Sequence, residues 1–515
     1  MKMSLAALLV AAFASVAAAQ SAGQATGTVY EDRNQNGQRD AGEPGLRGIL
    51  VSNGRELTRT DRAGVWRLPV GDDNVLFAVK PTDFAYRLDA NRKPTGFFYV
   101  HRPAGTAALR YGGLPATGPL PNRIDFGFMH KKEPRQFRVA FFGDTQPYNL
   151  DQVQFTAQDA IAEVAGRNDL AFGVSLGDVV GDNLSLLPPL MQAKSTMGVP
   201  WHYVVGNHDI DFDVPDDKDS TASWRRLVGP PYYAFEYGNV WFIVLENVDY
   251  RGQGKGYGSG LNEVQFTWLR NLLQEIPRDR MTVIMQHIPI IELKERAQFF
   301  ALLSNRPNTF SIAAHWHVNR HIFFGKEEGW TGAKPHHHLV AATVCGSWWS
   351  GELDEVGIPH SMMRDGGPRG YILGNFNARG YDLQFKATRR PADYQINIDA
   401  PHRIKSNERL NVTANFFFGT QFCRLEMRLN DGAWQAMRAL PPGKDPFYQR
   451  LKDLETSKKI PATGRALPGL YDNFHMWQGS VAAGLPEGGH RLEVRATDMF
   501  GRTHSARRVL WVDPS

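Results

Sequence analysis

The pattern of hydrophobic and polar positions divides the chain into three parts. Residues 25–110 alternate short apolar runs, such as VLFAVKP, with glycine and proline turns, which predicts a small all-β module. From 137 to about 390, apolar runs such as FRVAFFGDTQ and MTVIMQHIP alternate with helical segments, which predicts an α/β domain. After about 390, runs such as RLNVTANFFF and RRVLWVD predict a C-terminal β-sandwich.

The resulting domain boundaries follow the changes in this pattern. We expect an N-terminal β module over residues 25–112, the α/β domain over 136–385 and the β-sandwich over 392–515. The stretches YGGLPATGPLPN and HKKEPRQ between the first two parts are typical of a linker. A chain of 515 residues also exceeds what a single hydrophobic core usually supports, so several domains are expected.

The first residues, 1–19, predict a secretory signal peptide. Lys2 provides a positive start, residues 5–16 are apolar, and three alanines form a small-residue cleavage site. No later apolar run reaches the ~18 residues of a membrane span, so we expect an exported protein, periplasmic or extracellular. Cys345 and Cys423 lie in different predicted domains, which favours two separately buried thiols over a disulfide bridge.

The overall charge indicates the kind of partner. The formal net charge is +5 and the pI is about 9.0, but the basic residues are scattered along the chain. Scattered charge is consistent with an anionic substrate, and the chain has no nucleic-acid-binding motif.

The N-terminal module contains the loop DRNQNGQRDAGE, which has the spacing of a calcium loop. Oxygen ligands recur at positions 1, 3, 5, 7, 9 and 12, with a glycine at the sharp turn. They are Asp32, Asn34, Asn36, Gln38, Asp40 and Glu43, with Gly37 at position 6. No amphipathic helix flanks the loop, which resembles the calcium loops of repeat modules in bacterial surface proteins. The register favours a structural calcium ion over an ordinary polar loop.

Potential metal ligands follow five of the six apolar runs of the α/β domain. Carboxylates, amides and imidazoles that recur at the same end of successive strands can converge on one point, and they suit hard or borderline divalent metals. These ligands are Asp144, Gln146, Asp178, Asn207, His287, His315 and His317. Recurrence in this order favours a functional site over isolated structural residues.

The ordered motifs DTQ, GD, GNHD, H and HWH resemble those of the calcineurin-like metallophosphoesterases over about residues 137–320. The resemblance implies a four-layer α/β/β/α fold and a two-metal centre that holds Mn, Fe, Zn or Mg. It implies a first site of Asp144, Gln146, Asp178 and His317. It also implies a second site of Asp178, Asn207, His287 and His315, with Asp178 bridging the two.

The same resemblance suggests catalytic roles for residues around the GNHD motif. His208 would be an uncoordinated histidine that supports the transition state or protonates the leaving oxygen. Asp209 either orients His208 or caps a helix, and the same two alternatives apply to Asp182. Gln146 stands where the family usually has histidine, which puts the occupancy of the first site in question.

A broader resemblance covers nearly the whole chain after residue 20. With the segments GSWWSGELDEVGIP and RDGGPRGY, the chain resembles an exported three-domain bacterial subgroup with N- and C-terminal calcineurin-associated domains. Trp348, Trp349 and Asp365 would then lie near the mouth of the active site, although interdomain packing is the favoured alternative for the two tryptophans. For the triplet of residues 336–338, HHH, we expect a pocket lining or a surface strand rather than a metal site.

These observations predict an exported, dinuclear-metal phosphoester hydrolase that uses a metal-bridging hydroxide for in-line attack on phosphorus. A phosphodiesterase is favoured because the five motifs contain no lysine or arginine, and because the acids of 348–365 would oppose the second charge of a monoester. The alternatives are a phosphomonoesterase and a non-catalytic surface-binding protein. The sequence does not predict an oligomeric state.

Overall fold

The computed structural model describes residues 23–458 and 465–515. The predicted signal peptide, residues 1–19, lies outside the described residues. Within the described ranges, no helix combines the length and the apolar character that crossing a membrane requires.

The described part of the N-terminal domain contains ten strands. They are β1 (Gly23–Glu31), β2 (Leu50–Ser52), β3 (Leu57–Arg59), β4 (Val65–Val70), β5 (Asn74–Ala78), β6 (Phe84–Ala85), β7 (Arg87–Leu88), β8 (Pro94–Thr95), β9 (Phe98–His101) and β10 (Phe126–His130). One sheet has the order β4-β1-β10-β6 and another the order β3-β2-β5-β9, while β7 pairs with β8. Trp66 stacks on Phe126 between β4 and β10, with 5.7 Å between ring centroids.

The predicted end of this module at residue 112 is wrong. Strand β10 pairs in parallel with β1, with Val29 opposite Phe126 and Glu31 opposite Phe128. Both phenylalanines are buried. A parallel partner needs a long connection, so the proline- and glycine-rich stretch before β10 is a crossover within the module rather than a linker after it.

The central α/β domain contains thirteen strands and six α-helices. The strands are β11 (Gln136–Phe142), β12 (Leu170–Ser175), β13 (Trp201–Tyr203), β14 (Tyr233–Tyr237), β15 (Val240–Val244), β16 (Val248–Tyr250), β17 (Tyr257–Ser259), β18 (Thr282–Met285), β19 (Thr309–Ala313), β20 (Arg320–Phe324), β21 (His336–Val340), β22 (Gly370–Asn377) and β23 (Gly380–Ala387). The helices are α1 (Leu150–Thr156), α2 (Ala162–Val164), α3 (Leu187–Ser195), α4 (Ala222–Leu227), α5 (Glu263–Glu275) and α6 (Arg296–Leu303).

Two sheets form the middle of this domain. The first has the order β13-β12-β11-β22-β23 and the second the order β14-β15-β18-β19-β21-β20. Aromatic side chains fill the space between them; Phe172 of β12 lies 5.1 Å from Phe242 of β15, measured between ring centroids. Helices cover the outer faces, so the domain is the predicted four-layer α/β/β/α sandwich. Strands covered on both faces are expected to be continuously apolar, as β15 is.

Strand β21 corrects one expectation from the sequence. It lies between β19 and β20 in the second sheet, and its residues 336–340 are all buried. The histidine triplet is therefore neither a surface strand nor a pocket lining. It is part of the interior of the sheet, where neighbouring hydroxyl groups provide hydrogen-bond partners.

The described part of the C-terminal domain is a β-sandwich with one helix. Its elements are β24 (Ile396–Asp399), β25 (Arg403–Lys405), β26 (Leu410–Phe416), β27 (Arg424–Leu429), β28 (Gln435–Ala436), β29 (Arg438–Ala439), α7 (Pro446–Thr456), β30 (Met476–Val481), β31 (Gly488–Thr497) and β32 (Thr503–Asp513). The sheets have the orders β24-β26-β30-β29 and β25-β32-β31-β27-β28. Leu410, Phe416, Leu492 and Val512 belong to the buried core between them.

Candidate metal centre

The candidate ligands follow the carboxyl ends of five strands in the two central sheets. Strands β11, β12 and β13 lead into them from the first sheet, and β18 and β19 lead into them from the second. The residues delivered in this way are Asp144, Gln146, Asp178, Asn207, His287, His315 and His317. The carboxyl edges of the two sheets therefore bring these residues to one point. Ligands of open α/β sheets bind at this edge.

The second site is assembled around Asp178 and His287. One ligand atom from each of Asp178, His287 and His315 lies within 4.8 Å of the others. His287 Nε2 is 3.2 Å from Asp178 Oδ1 and 3.0 Å from Asn207 Oδ1. The four residues expected at the second site are thus brought together around one point.

The first site is assembled around Asp144 and His317. His317 Nε2 lies 3.0 Å from Asp144 Oδ2, a buried oxygen that makes no hydrogen bond. Gln146 Nε2 lies 3.5 Å from Asp178 Oδ2 and 3.4 Å from the Tyr148 hydroxyl. In this orientation Gln146 presents its amide nitrogen to the centre, so a ligand role requires the amide to turn by about 180°.

Several candidate ligand residues lie in sharp turns with strained backbone conformations, and these turns pack closely against one another. Asp178, His315 and His317 have φ values of 44°, 72° and 57°, in the left-handed region that costs energy for residues other than glycine. A Cβ on Gly206 would lie 2.0 Å from the backbone nitrogen of Asp178. The GNHD turn can therefore pack against the GD turn only because residue 206, the first residue of the GNHD motif, is a glycine.

The histidines are oriented so that one ring nitrogen faces the centre. His287 Nδ1 lies 2.9 Å from the Leu176 carbonyl oxygen, and His317 Nδ1 lies 2.6 Å from that of Gly346. A carbonyl that accepts a hydrogen bond from Nδ1–H favours the tautomer in which Nε2 keeps its lone pair, which is the arrangement of a metal-ligating histidine. These contacts and the unpartnered oxygen of Asp144 show that the residues present fit divalent cations.

The electrostatics of the centre favour positive charge. Burial lowers the pKa of His287, but Asp178 and Asp144 outweigh it and raise that pKa to about 9. Burial likewise opposes ionisation of Asp178, yet His287 and His208 hold the pKa of its carboxyl below the usual value. The centre thus stabilises cationic charge at the point where the two ligand sets meet.

Comparison with protein-family models assigns the chain. The model described as "Calcineurin-like phosphoesterase" matches residues 137–319, and the model described as "C terminal of Calcineurin-like phosphoesterase" matches residues 338–504. The chain belongs to the calcineurin-like phosphoesterase family. It is a metal-dependent phosphoester hydrolase. The C-terminal model begins within the second sheet, so its matched residues include most of β21 together with β22 and β23.

Solved structures and curated proteins add little. A purple acid phosphatase from yellow lupin (Lupinus luteus) seeds is 12% identical with a TM-score of 0.36, covering 66% of this chain and 67% of that one. A superoxide reductase (neelaredoxin) from Ignicoccus hospitalis is 10% identical with a TM-score of 0.13, covering 23% of this chain and 81% of that one. Both similarities are too low to bear on function, and no curated protein matches.

In this phosphoesterase, His208 lies beside the two ligand sets. Its Nδ1 is 2.6 Å from Asp182 Oδ1, and its Nε2 is 3.9 Å from Asp178 Oδ2. Burial lowers the pKa of His208, but the Asp178 and Asp182 carboxylates raise it further, so the net shift is upward. Asp182 is therefore placed to orient His208 and to hold a proton on its ring.

The interpretation of Asp209 as a residue that orients His208 is wrong. Its buried carboxylate accepts hydrogen bonds from the backbone nitrogens of Val179, Val180 and Gly206, at 3.0, 3.0 and 2.9 Å. Asp209 thus ties the GD turn to the GNHD turn and has a structural role beneath the centre. The sequence did not distinguish the two acids, because their roles depend on which turn each one faces.

The three residues expected at the mouth lie in different places. Trp348 is half-buried, with its ring centroid 4.5 Å from that of His317. Trp349 is buried and donates from Nε1 to the Thr145 carbonyl at 3.1 Å, so it packs within the domain. The expectation for Asp365 is also wrong.

Asp365 is buried where the C-terminal domain meets the central domain. Its carboxylate accepts from the Asn319 backbone nitrogen at 2.7 Å and lies 3.2 Å from His475 Nε2. The neighbouring acid Asp354 forms an ion pair with Arg389, and Glu355 lies 3.9 Å from the same arginine. Asp354 and Glu355 therefore lie beside an arginine, and Asp365 lies in the domain interface. This removes the argument that acids of segment 348–365 favour a diester by opposing the second charge of a monoester.

Sequence reasoning missed several side chains around the centre. Tyr148 lies 6.3 Å from His208 and Tyr257 lies 6.1 Å from His315, both measured between ring centroids. The buried thiol of Cys345 lies 3.7 Å from His317 Nδ1. Arg465, which the C-terminal domain contributes, lies 4.8 Å from the Trp348 ring centroid. No motif marks these residues, although Tyr148 follows the DTQ motif closely enough to have been considered.

Proposed function

We propose that this phosphoester hydrolase is an exported phosphodiesterase with two metal ions. The observation that carries the diester assignment is the charge around the ligand sets. Their neighbours are carboxylates, imidazoles, an amide and aromatic rings, whereas the guanidinium groups of Arg364 and Arg465 lie on the bordering rings of Trp348 and Tyr148. A diester carries one negative charge, while the dianion of a monoester is usually met by added arginine or lysine.

The proposed metals are held by the residues of the first and second sites. Bound divalent cations act as Lewis acids toward phosphoryl oxygens and lower the pKa of a bound water. The residues that would hold these cations include Asp178, through its carboxylate, and His287 and His317, through their Nε2 atoms. His208 holds a proton that the leaving oxygen needs, and Asp182 keeps its ring in position.

The organic part of the substrate is expected to lie against aromatic side chains. Tyr148 and Trp348 flank the centre on one side and Tyr257 flanks it on another. Aromatic walls exclude water and provide apolar contact for an esterified alcohol. A monoester has one such group, whereas a diester has two and uses both sides.

The test compares bis-p-nitrophenyl phosphate with p-nitrophenyl phosphate on one metal-loaded preparation at one pH. We expect a higher kcat/KM for the diester. A clear preference for the monoester would replace this proposal with a phosphomonoesterase. Metal analysis of the same preparation should give two equivalents per chain.

Export is proposed from residues 1–19 alone. Cleavage after this segment should leave a mature protein that begins near Gln20. Fractionation of cells that express the full chain, followed by mass determination of the intact protein, tests this proposal. Recovery of the uncleaved chain from the cytoplasm would contradict it.

A structural calcium ion is proposed for the loop of residues 32–43. Asp32 is buried and its Oδ1 has no hydrogen-bond partner, while Oδ2 accepts from the Gly37 backbone nitrogen at 3.0 Å. The carboxylate of Glu43 accepts from the backbone nitrogens of Arg33 and Asp40, which keeps it within the loop. An unpartnered buried carboxylate oxygen is a position that a cation would stabilise.

The calcium test uses the full chain with its metal centre loaded. Calcium at millimolar concentration should raise the melting temperature of the wild type, because a ligand that binds only the native state stabilises it. Glu43→Gln should lose most of this increase. An equal increase in both proteins would place the calcium elsewhere.

A further inference from the structure

The C-terminal domain contributes a side chain to the surroundings of the metal centre. Ser350 forms a parallel β-bridge with Arg465, and the Gly351 backbone nitrogen donates to the Arg465 carbonyl at 2.8 Å. Ser350 lies two residues after Trp348 in the chain. This pairing therefore holds the backbone of Arg465 close to that tryptophan. The Arg465 side chain is exposed, so the backbone pairing rather than burial sets the position of this residue.

The guanidinium of Arg465 lies over two aromatic rings that border the centre. Its Cζ is 4.8 Å from the Trp348 ring centroid and 5.6 Å from that of Tyr148. Trp348 contacts the ligand His317, and Tyr148 lies beside His208. Arg465 is therefore one aromatic layer away from the reacting atoms, on the side where His208 serves the leaving oxygen.

A second guanidinium lies on the same tryptophan. Arg364 Cζ is 5.7 Å from the Trp348 centroid and 3.6 Å from that of Tyr471. Arg364 Nε donates to the Gly469 carbonyl at 3.0 Å, which ties this arginine to the C-terminal segment. Within the described ranges, neither arginine forms a salt bridge with a carboxylate.

Within the described residues, Arg364 and Arg465 both place a guanidinium without a carboxylate partner on the Trp348 ring. Two buried arginines, by contrast, are paired with carboxylates, Arg225 with Asp73 of the N-terminal domain and Arg369 with Asp159 of its own domain. Guanidinium groups bind carboxylates and phosphates well because their donors form a planar fork. An anion from outside the chain is the natural partner of such a pair.

We propose that Arg465, supported by Arg364, binds a second anionic group carried by the leaving group of the phosphodiester substrate. This inference rests on the proposed phosphodiesterase activity and narrows it to substrates whose leaving alcohol bears a carboxylate or a phosphate. Trp348 and Tyr148 then contact the body of the leaving group, and the C-terminal domain selects the substrate. Arg465 is a specificity-determining residue and takes no part in bond cleavage.

The experiment compares methyl p-nitrophenyl phosphate with the same diester carrying a carboxylate on the nitrophenyl ring. The ratio of their kcat/KM values is measured for wild type, Arg465→Gln and Arg465→Lys, so that intrinsic differences in reactivity cancel. Arg438→Gln, an exposed position on the same domain, serves as the matched control. Circular dichroism and metal analysis establish that the variants are folded and loaded.

We expect Arg465→Gln to lower the ratio by about tenfold or more, the factor that one charge-assisted hydrogen bond contributes. Arg465→Lys should lower it less, and Arg438→Gln should not change it. Hydrolysis of both diesters with an unchanged ratio in Arg465→Gln would overturn the subsite while leaving the phosphodiesterase in place. A loaded wild type that hydrolyses neither diester would overturn the proposed function and this inference with it.

Discussion

Two groups of histidines in the same sheet have opposite surroundings. The metal centre uses His287, His315 and His317, which follow β18 and β19 and face carboxylates. The strand histidines, defined here as His321, His336, His337 and His338, lie within β20 and β21. Both groups are largely buried, so burial does not distinguish a ligand from a structural histidine.

The hydrogen-bond partners make the distinction. His336 and His338 each lie 2.8 Å from the Ser311 hydroxyl, and His337 lies 2.8 Å from the Tyr381 hydroxyl and from His321. Hydroxyls and neutral imidazoles can satisfy one another's hydrogen-bonding atoms, and the group then carries no net charge. The candidate metal centre instead combines histidines with buried carboxylates and left-handed turns, and this arrangement favours a bound cation.

The largest expected effect is at Asp178, the carboxylate that we propose to be shared by two metal sites. Asp178→Asn should reduce activity by more than the ~10²–10⁴-fold expected for loss of a general acid, because both metals lose charge compensation. Gln146→Ala should cost less, since Gln146 carries no charge and presents nitrogen to the centre. Turnover and metal content of the two variants provide the measurement, and equal losses would contradict the bridging role of Asp178.

The next effect separates His208 from the ligands. His208→Ala should lower kcat by ~10²–10⁴-fold while the metal content stays near that of wild type. Asp182→Asn should lower kcat less, because it removes only the partner of Nδ1. Loss of a metal equivalent in His208→Ala would move this residue into the ligand set.

The strand histidines should affect stability and not chemistry. His337→Ala should reduce the free energy of unfolding by about 2–4 kcal/mol, because it leaves a cavity and removes the partner of Tyr381. Turnover per folded, metal-loaded molecule should remain that of wild type. Denaturant unfolding and metal analysis test this, and loss of metal would assign the strand histidines to a metal site.

The smallest expected effect is a pH dependence of the free energy of unfolding, which the strand histidines cause. Burial lowers the pKa of His336 to about 3, and burial together with His475 does the same for His321. The unfolded chain therefore binds more protons than the folded one between about pH 6.5 and 3. The stabilisation is complete above about pH 6.5 and falls by up to about 1.4 kcal/mol per histidine for each pH unit within this range.

The comparison of His336→Gln with wild type isolates this contribution. Glutamine retains hydrogen bonding to Ser311 and cannot titrate near neutral pH. The loss of unfolding free energy between pH 7 and 5 should be smaller in the variant by about 1–2 kcal/mol. His130→Gln, at an exposed position, is the control, and an unchanged pH dependence in His336→Gln would show that His336 does not carry this effect.

Much of the fold could be predicted because its pattern is local. Strand runs such as β15 and β18 are apolar throughout, and the family motifs follow them at short spacing. Strand β10 was missed because its pairing with β1 spans nearly a hundred residues and its run is interrupted by Gly127. Nothing local indicates a partner at that distance.

The sequence by itself determined the family, the layered α/β core and the set of candidate ligand residues. These follow from residue types in a fixed order, since each ligand lies directly after its own strand. Tertiary structure alone decided between Asp182 and Asp209 as the partner of His208, and between Trp348 and Trp349 as the ring beside the metal centre. Neighbouring residues of the same type point in different directions after a turn, and only the packed turns set those directions.

Tertiary structure also decided which distant groups reach the centre. Arg465 lies more than a hundred residues from Trp348 in the chain, and a β-bridge at Ser350 brings the two together. The broader family resemblance suggested that Asp365 lies at the mouth, yet the C-terminal domain buries it against His475. Domain packing sets both positions, because the contacts that fix them join the central domain to the C-terminal domain.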